Sequence, residues 1–178
     1  MLPSNQKIKS GLLSTIGDSQ VIISLEYFYE LSQIASPIAL CNTVPWFLGV
    51  QSVRGRIVPI THLYSYLTRK VSSQENHKSS FDNAKVLIID FESELFGFAI
   101  DGVLTNIFYK NSEITELLIS LPNFLKPYVK NMIRTSSERP LAAEQTEVAI
   151  ENCPLLDMSL VIRDPDFINI QAKTFIGA

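Results

Sequence analysis

A tight turn set between two β-branched runs constrains this chain more than any other feature. Residues 45–63 read PWFLGVQSVRGRIVPITHL and include the only tryptophan, Trp46. Val50 and Val53 flank a short polar step, Arg54-Gly55 punctuates the run, and Ile57-Val58-Pro59-Ile60 resumes it. Gly55 suits a backbone that needs a positive φ. Pro59 has no N–H to give to a ladder, so it belongs at an edge, an end or a bulge. The expectation is two short strands bent around Arg54, with the guanidinium projected rather than buried. Such a geometry suits a recognition surface better than a catalytic pocket.

The rest of the chain agrees with a β-rich reading. Gly11–Thr15 forms a first strand, Gly17-Asp18-Ser19 a turn, and Val21-Ile22-Ile23 a second strand. From Leu25 to Ile34 the alternation is less clean, and a strand with a bulge and a short helix both fit. Val86–Phe91 and Leu95–Ile100 are apolar runs separated by Glu92-Ser93-Glu94, which predicts a β-hairpin with a three-residue connection. Val103–Tyr109 reads as another strand.

Leu121, Phe124, Leu125, Tyr128, Val129, Met132 and Ile133 sit at helical spacing, but Pro127 interrupts the run. Two short helical pieces, or a helical turn followed by a strand, fit better than one long helix, and the apolar stripe is core packing. Pro154–Leu160 is the last apolar run. Asp164-Pro165 has the cap-then-proline order of a helix start, predicting a final helix that packs Phe167 with Ile168 or Ile170 on the body.

Residues 69–85 are rich in Ser, Asn, Gln and charge and form the clearest loop, dividing the chain into two lobes. His77 falls within it and is expected in solvent. Residues 135–146 are a second polar loop, and residues 1–10 a flexible arm. Many short strands at close spacing, few helices and frequent turns indicate a mainly β barrel or sandwich.

Composition narrows the function. At 178 residues, 46% hydrophobic and 19% charged, the chain is globular and buries enough surface to fold without a metal or disulfide. A net charge of −3, with no single-sign block, argues against nucleic acid as a partner. Cys41 and Cys153 fit no metal-ligand spacing and read as free thiols. No stretch reaches the roughly 20 apolar residues of a membrane span, and no signal peptide is evident. The expectation is a soluble, cytoplasmic protein without direct membrane insertion.

A search for catalytic machinery yields little. No phosphate-cradling glycine motif is present, and two histidines without H-x-x-H spacing do not build a zinc site. Cys41 and His62 make a formal thiol–imidazole pair, weighed against an ordinary buried thiol. Glu92 and Glu94 are solvated turn charges, and Asp164 and Asp166 suit a helix N-terminus. Asp101, between a strand and a glycine, reads as a turn residue bonded to local backbone N–H groups. Arg54 is either a plain surface arginine or a recognition residue. Phe28 is either a core side chain, worth about 1.5–3 kcal/mol on burial, or part of the same surface. By elimination the chain is a non-catalytic interaction protein that needs no cofactor and no metal.

At this point the motifs resemble a known family. Gly49-Val50-x-x-Val53-Arg54-Gly55-x-Ile57-Val58-Pro59-Ile60 is similar to the G-V-x-N-L-R-G-x-I-V-P-V signature of CheW-like chemotaxis adaptors. Gly17-Asp18, Val21-x-Ile23 and Phe28-x-Glu30-Leu31 resemble the family's early strands. Lys85–Asp90 with Gly97-Phe98-Ala99-Ile100-Asp101-Gly102-Val103 resembles its central hairpin. Leu160–Phe167, with Asp164-Pro165-x-Phe167, resembles the ending of the type IV pilus (twitching motility) branch, PilI. The resemblance spans residues 11–172 as one domain, leaving 173–178 as a tail.

The resemblance implies two SH3-like five-stranded β-barrels sharing a hydrophobic seam, with short helices including one near the C-terminus. It implies a scaffold without catalysis. Such an adaptor bridges the cytoplasmic tip of a methyl-accepting chemoreceptor to the regulatory domain of a CheA-type histidine kinase, here in twitching motility. Carried over position by position, the receptor-binding residues are Phe28, Glu30, Val50, Val53 and Arg54, with Val50 and Val53 lining one face. Ser52 stands where the family usually has Asn, His62 where it has Asp, and Phe28 where it has valine. Residues 135–150 are additional loop. The alternative is an SH3-like peptide-binding module with an unrelated partner.

Overall fold

The computed structural model describes residues 8–41, 43–69, 85–134 and 152–168. The 69–85 loop with His77, the 135–150 segment, Ile170, the 173–178 tail and the first seven residues therefore lie wholly or mostly outside the described residues. Eleven strands make two sheets. Six strands form the first, in the order β8 (Gly102–Lys110), β1 (Ile8–Ile16), β2 (Ser19–Ser24), β11 (Cys153–Leu156), β10 (Val129–Ile133) and β9 (Ile114–Glu116). Five form the second, in the order β3 (Phe28–Gln33), β6 (Lys85–Phe91), β7 (Glu94–Ile100), β5 (Arg56–His62) and β4 (Phe47–Val53). Among the described residues the helices are α1 (Leu63–Thr68), α2 (Met158–Ile162) and a helical stretch over 165–168.

Each sheet curls, so its two edges approach one another. In the first sheet the edge strands β8 and β9 are joined by a single 3-10 turn, Asn111–Glu113, whose Glu113 carbonyl accepts the Arg134 N–H at 2.9 Å. In the second, the chain leaving β3 folds back against β4. Ile38 and Val50 exchange backbone hydrogen bonds at 2.8 and 3.0 Å, and the Ala35 N–H donates to Gln51 Oε1 at 3.2 Å.

Strand alternation then sorts the side chains into cores. Leu13, Ile22, Ile107 and Tyr109 fill the first barrel. Val53, Val58, Ile60, Val86, Ile88 and Leu95 fill the second. The odd-numbered partners Leu87, Ile89 and Phe91 face the other way and meet Leu12, Ile16, Val21 and Ile23 in one shared cluster. The expected pair of small barrels on a common hydrophobic seam is thus the observed architecture, with β9 as a sixth strand in the first sheet.

Several local expectations change. Residues 8–10, expected in the N-terminal arm, belong to β1. The ambiguous Leu25–Ile34 stretch is strand β3 with a bulge, its register with β6 shifting between Phe28 and Glu30. The central hairpin has a two-residue connection, because Glu94 belongs to β7. Glu92 and Ser93 both take positive φ, 54° and 71°, the pairing whose twist matches antiparallel strands. Arg54 and Gly55 do the same at 50° and 81°.

Pro59 lies on an internal strand rather than an edge, and its missing donor costs nothing there. The N–H and C=O of Val50, its partner on β4, both point away to Ile38. On the other side Pro59 immediately precedes the first β5–β7 pair, Ile60 with Gly97. The stripe around Pro127 is a run of turns followed by β10, with Leu121, Leu125, Tyr128 and Val129 in the shared core.

The C-terminal helix start is as read. Asp164 caps residues 165–168 by accepting the Asp166 N–H at 2.9 Å. Phe167 is buried, stacking on Phe98 at 5.5 Å and meeting Tyr66 edge-on at 5.2 Å. Ile168 is exposed and does not pack.

Candidate functional site

The closure of the second barrel carries the residues singled out by the sequence. β3 and β4 are the edges of that sheet, and Arg54, in the turn after β4, reaches across to β3. Its Nε donates to Glu30 Oε2 at 2.7 Å, while the guanidinium lies 5.7 Å from the centre of the Tyr29 ring. The Glu30 hydrogen bond and charge raise the guanidinium pKa above its ordinary value. The Arg54 side chain remains 70% exposed against 24% for Glu30. The turn thus projects its cation as expected, yet the cation is oriented rather than free.

The five candidate residues do not share one face. Val50 through Val53 pair with Pro59 through Arg56 without a bulge, so Val50 and Val53 point to opposite sides of the sheet. Val53 is 5% exposed and packs with Val58, Ile60 and Val86 inside the barrel. It is a core residue, and the expectation that it lines the recognition face with Val50 is corrected. The bulge at Tyr29 splits a second pair. Phe28 sits beside Ile89 and Glu30 beside Ile88, two residues that face opposite ways. Phe28 is 45% exposed, so it is not the buried core side chain that was its other reading.

What the outer surface presents is Arg54 with Phe28, half-buried Val50, Ile38 and Ile57. Ile57 is 72% exposed and sits opposite Ser52, diagonally across from Val50. The sequence reading missed Ile38 and Ile57. Ile57 was legible in principle from the alternation of β5, whereas Ile38 lies in a Pro-broken stretch where no period exists. A second exposed row also went unread. Leu104, Asn106, Phe108 and Lys110 alternate outward along β8, with Ile8 beside them on β1.

His62 and Asp101 form a pair that the local reading of Asp101 did not foresee. Asp101 Oδ2 accepts the Gly17 N–H at 2.8 Å, and Oδ1 lies 3.0 Å from His62 Nε2. His62 Nδ1 is 2.6 Å from Ser65 Oγ. A carboxylate only accepts, so Nε2 carries the hydrogen that faces Asp101, while Nδ1 shares a hydrogen bond with the Ser65 hydroxyl. Asp101 is thereby a long-range clamp between the two barrels rather than a local turn residue. The ring nitrogens of this buried histidine bond to Asp101 and Ser65, whereas Cys41 is exposed. Cys153 is buried, which pushes its thiol up to about 12, away from thiolate chemistry.

One polar network escaped the sequence entirely. Arg69, in left-handed conformation at the end of α1, donates to the Tyr66 carbonyl at 2.7 Å and to Asp164 Oδ2 at 2.9 Å. Its guanidinium lies 4.0 Å from the centre of the Tyr66 ring. Tyr128 also donates to Asp164. Burial pushes the Asp164 carboxyl up, but hydrogen bonds from Tyr128, the Asp166 N–H, Tyr66 and Arg69 outweigh it and hold it below the usual carboxylate range. The cluster fastens the final helical turn to α1.

Among the described residues no group of three or more His, Cys, Asp or Glu could hold a metal ion. No described helix is long and apolar enough to cross a membrane. At the closure of the second barrel the exposed groups are an oriented cation and apolar side chains.

Comparison with known proteins agrees in kind. No curated protein matches in sequence. Among solved structures, the crystal structure of the scaffolding protein TtCheW from Thermoanaerobacter tengcongensis superposes with a TM-score of 0.64. The two chains share 12% identity over 89% of this chain and 95% of that one, a likeness of fold. The profile of the CheW-like domain matches residues 10–165. Since that match covers most of the sequence, the chain belongs to the CheW-like domain family.

Proposed function

We propose that this protein is a chemotaxis adaptor. It couples the cytoplasmic tip of a methyl-accepting chemoreceptor to the regulatory domain of a CheA-type histidine kinase, from the cytoplasmic side. Residues 11–172 act as one domain. The observation that carries the reading is Arg54, held by Glu30 beside the Tyr29 ring, with Phe28, Ile38 and Ile57 exposed around the same sheet. A helical receptor tip would set an apolar stripe against Phe28, Val50 and Ile57, with a carboxylate on Arg54. Rim charges of this kind set register and association rate more than bulk affinity. Glu30 contributes by fixing the guanidinium. Val53 contributes by supporting the strand from inside.

The Asp164-Pro165-x-Phe167 ending supports assignment to the twitching motility branch, with output to type IV pili. Titrating the purified chain with a receptor tip and, separately, with a kinase regulatory domain tests the adaptor reading. Binding of both partners, simultaneously in a mixture, is expected, and failure to bind either one overturns it. Deleting the gene in its source organism tests the branch, with loss of surface twitching expected and intact twitching refuting it.

A further inference from the structure

The open end of the first barrel holds a cavity of about 260 Å³ that the adaptor role does not use. All six strands of that sheet contribute to its wall, joined by Tyr27 and by Ile89 of the second sheet, so it lies at the end of the first barrel that meets the second. Barrel mouths are a common place for small-molecule sites, apolar at the bottom with a few placed polar groups.

The polar groups here come from separate local causes. Lys9 and Tyr109 are direct cross-strand partners on β1 and β8. Gly11 makes room for the Tyr109 ring, since a Cβ there would stand 3.2 Å from it and 2.6 Å from Ile22. Ser24, opposite Gly11, ends β2, and Glu26 follows. Lys130 is the extra residue of a bulge in β10, between Val129 and Asn131, and bulges re-aim side chains beside sites.

The bonding of these groups is incomplete. The Tyr109 hydroxyl is fully buried in a residue 1% exposed and has no well-formed hydrogen bond, with only the Ser24 side chain close enough to act on it. A buried, unmade hydrogen bond costs roughly 1–3 kcal/mol, so few such groups persist without a reason. No ion pair joins Lys9, Lys130 or Glu26 to any described residue. Among the described residues, two ammonium groups and the Glu26 carboxylate thus line one cavity without ion-pair partners, beside the Tyr109 hydroxyl and the Asp157 carboxylate that caps α2.

We infer that the mouth of the first barrel binds a small zwitterion of free amino-acid size. The ligand carboxylate would meet Lys9, Lys130 and the Tyr109 hydroxyl, and its ammonium group would meet Glu26. A simple anion would leave Glu26 unanswered, and a simple amine would leave both lysines and Tyr109 so. The volume fits a ligand of amino-acid size.

The test uses the full chain and calorimetric titration with each free proteinogenic L-amino acid, with acetate and methylamine as single-charge controls. At least one amino acid should bind one-to-one with a Kd below about 1 mM, and both controls at least tenfold more weakly. Tyr109→Phe should weaken that binding about fivefold to tenfold while leaving the unfolding midpoint unchanged or higher. Lys9→Met and Glu26→Gln, at less buried positions, should each weaken it and keep the fold, whatever Tyr109→Phe does to folding. Lack of binding by every amino acid up to about 10 mM overturns the proposal, as does binding that all three variants leave intact. Acetate binding as tight as any amino acid overturns the zwitterion and marks an anion hole.

Discussion

Arg54 Nε donates to Glu30 Oε2 at 2.7 Å, and this contact ties the two edge strands of the five-stranded sheet to each other. The same guanidinium is 70% exposed and is the cation of the proposed receptor face. Structure and recognition therefore meet in one side chain, and a single substitution confounds them. They separate once the pair is reversed.

Arg54→Glu should abolish binding of a receptor tip, since it removes the rim cation and sets a second carboxylate beside Glu30. The exposed position limits the structural cost to a midpoint shift of about 2 °C or less. Reversing both charges, Glu30→Arg with Arg54→Glu, restores the seam contact in opposite polarity. That double variant should recover the wild-type midpoint and still fail to bind. Recovery of binding would mean that the pair matters only for folding.

The two glycines beside this seam should respond differently to a side chain. Gly55 has φ 81° with open space around a built Cβ. Gly55→Val should therefore cost only backbone strain, about 1–2 kcal/mol. At Gly49, φ is 129° and a Cβ would stand 2.2 Å from the Ile38 carbonyl oxygen, which closes the barrel edge. Gly49→Ala should cost more than Gly55→Val despite the smaller side chain. Denaturant unfolding of both variants checks the order, and the reverse order would remove the closure argument.

Asp164 predicts how stability falls in acid. Its carboxyl is held below the usual range in the folded chain. Its contribution is therefore complete above the ordinary carboxylate pKa near 3.9 and is lost as pH falls through the lowered folded value. Asp164→Asn should destabilise at neutral pH by about 1–3 kcal/mol, and its thermal midpoint should fall less steeply than wild type below about pH 4. Parallel acid limbs in the two proteins would dismiss the Arg69–Tyr128–Asp164 network as a source of that dependence.

The features that could be read in advance are those whose cause is local. Gly55 announces a positive φ, the Asp164-Pro165 step announces a helix start, and the β6 and β7 runs announce a hairpin. Each requires only neighbouring residues. The misread features depend on partners far along the chain. Asp101 looks like a turn residue because Gly17, its acceptor's donor, is 84 positions away. Arg69 gave no signal because Asp164 lies 95 positions off. Val50 and Val53 were grouped by motif, although three steps along an unbulged strand must reverse the face. The Tyr29 bulge separated Phe28 from Glu30 for a reason visible only in the pairing with β6.

His62 gives the most exacting test, because the family's usual residue there is a carboxylate. In this chain the position is buried, and the ring donates to Asp101 and shares a second hydrogen bond with Ser65. His62→Asp would turn the donor that faces Asp101 into a second acceptor and bring two carboxylates together away from water. One of them would have to bind a proton or repel the other. The expected cost is about 2–4 kcal/mol, larger at pH 8 than at pH 5, since protonating one carboxyl relieves the repulsion. Pairing His62→Asp with Asp101→Asn should return part of the loss, because an amide can donate where the imidazole did. Thermal unfolding of the two variants at both pH values decides the matter. An unaltered midpoint in His62→Asp would show that the His62–Asp101 contact contributes nothing to the clamp between the barrels.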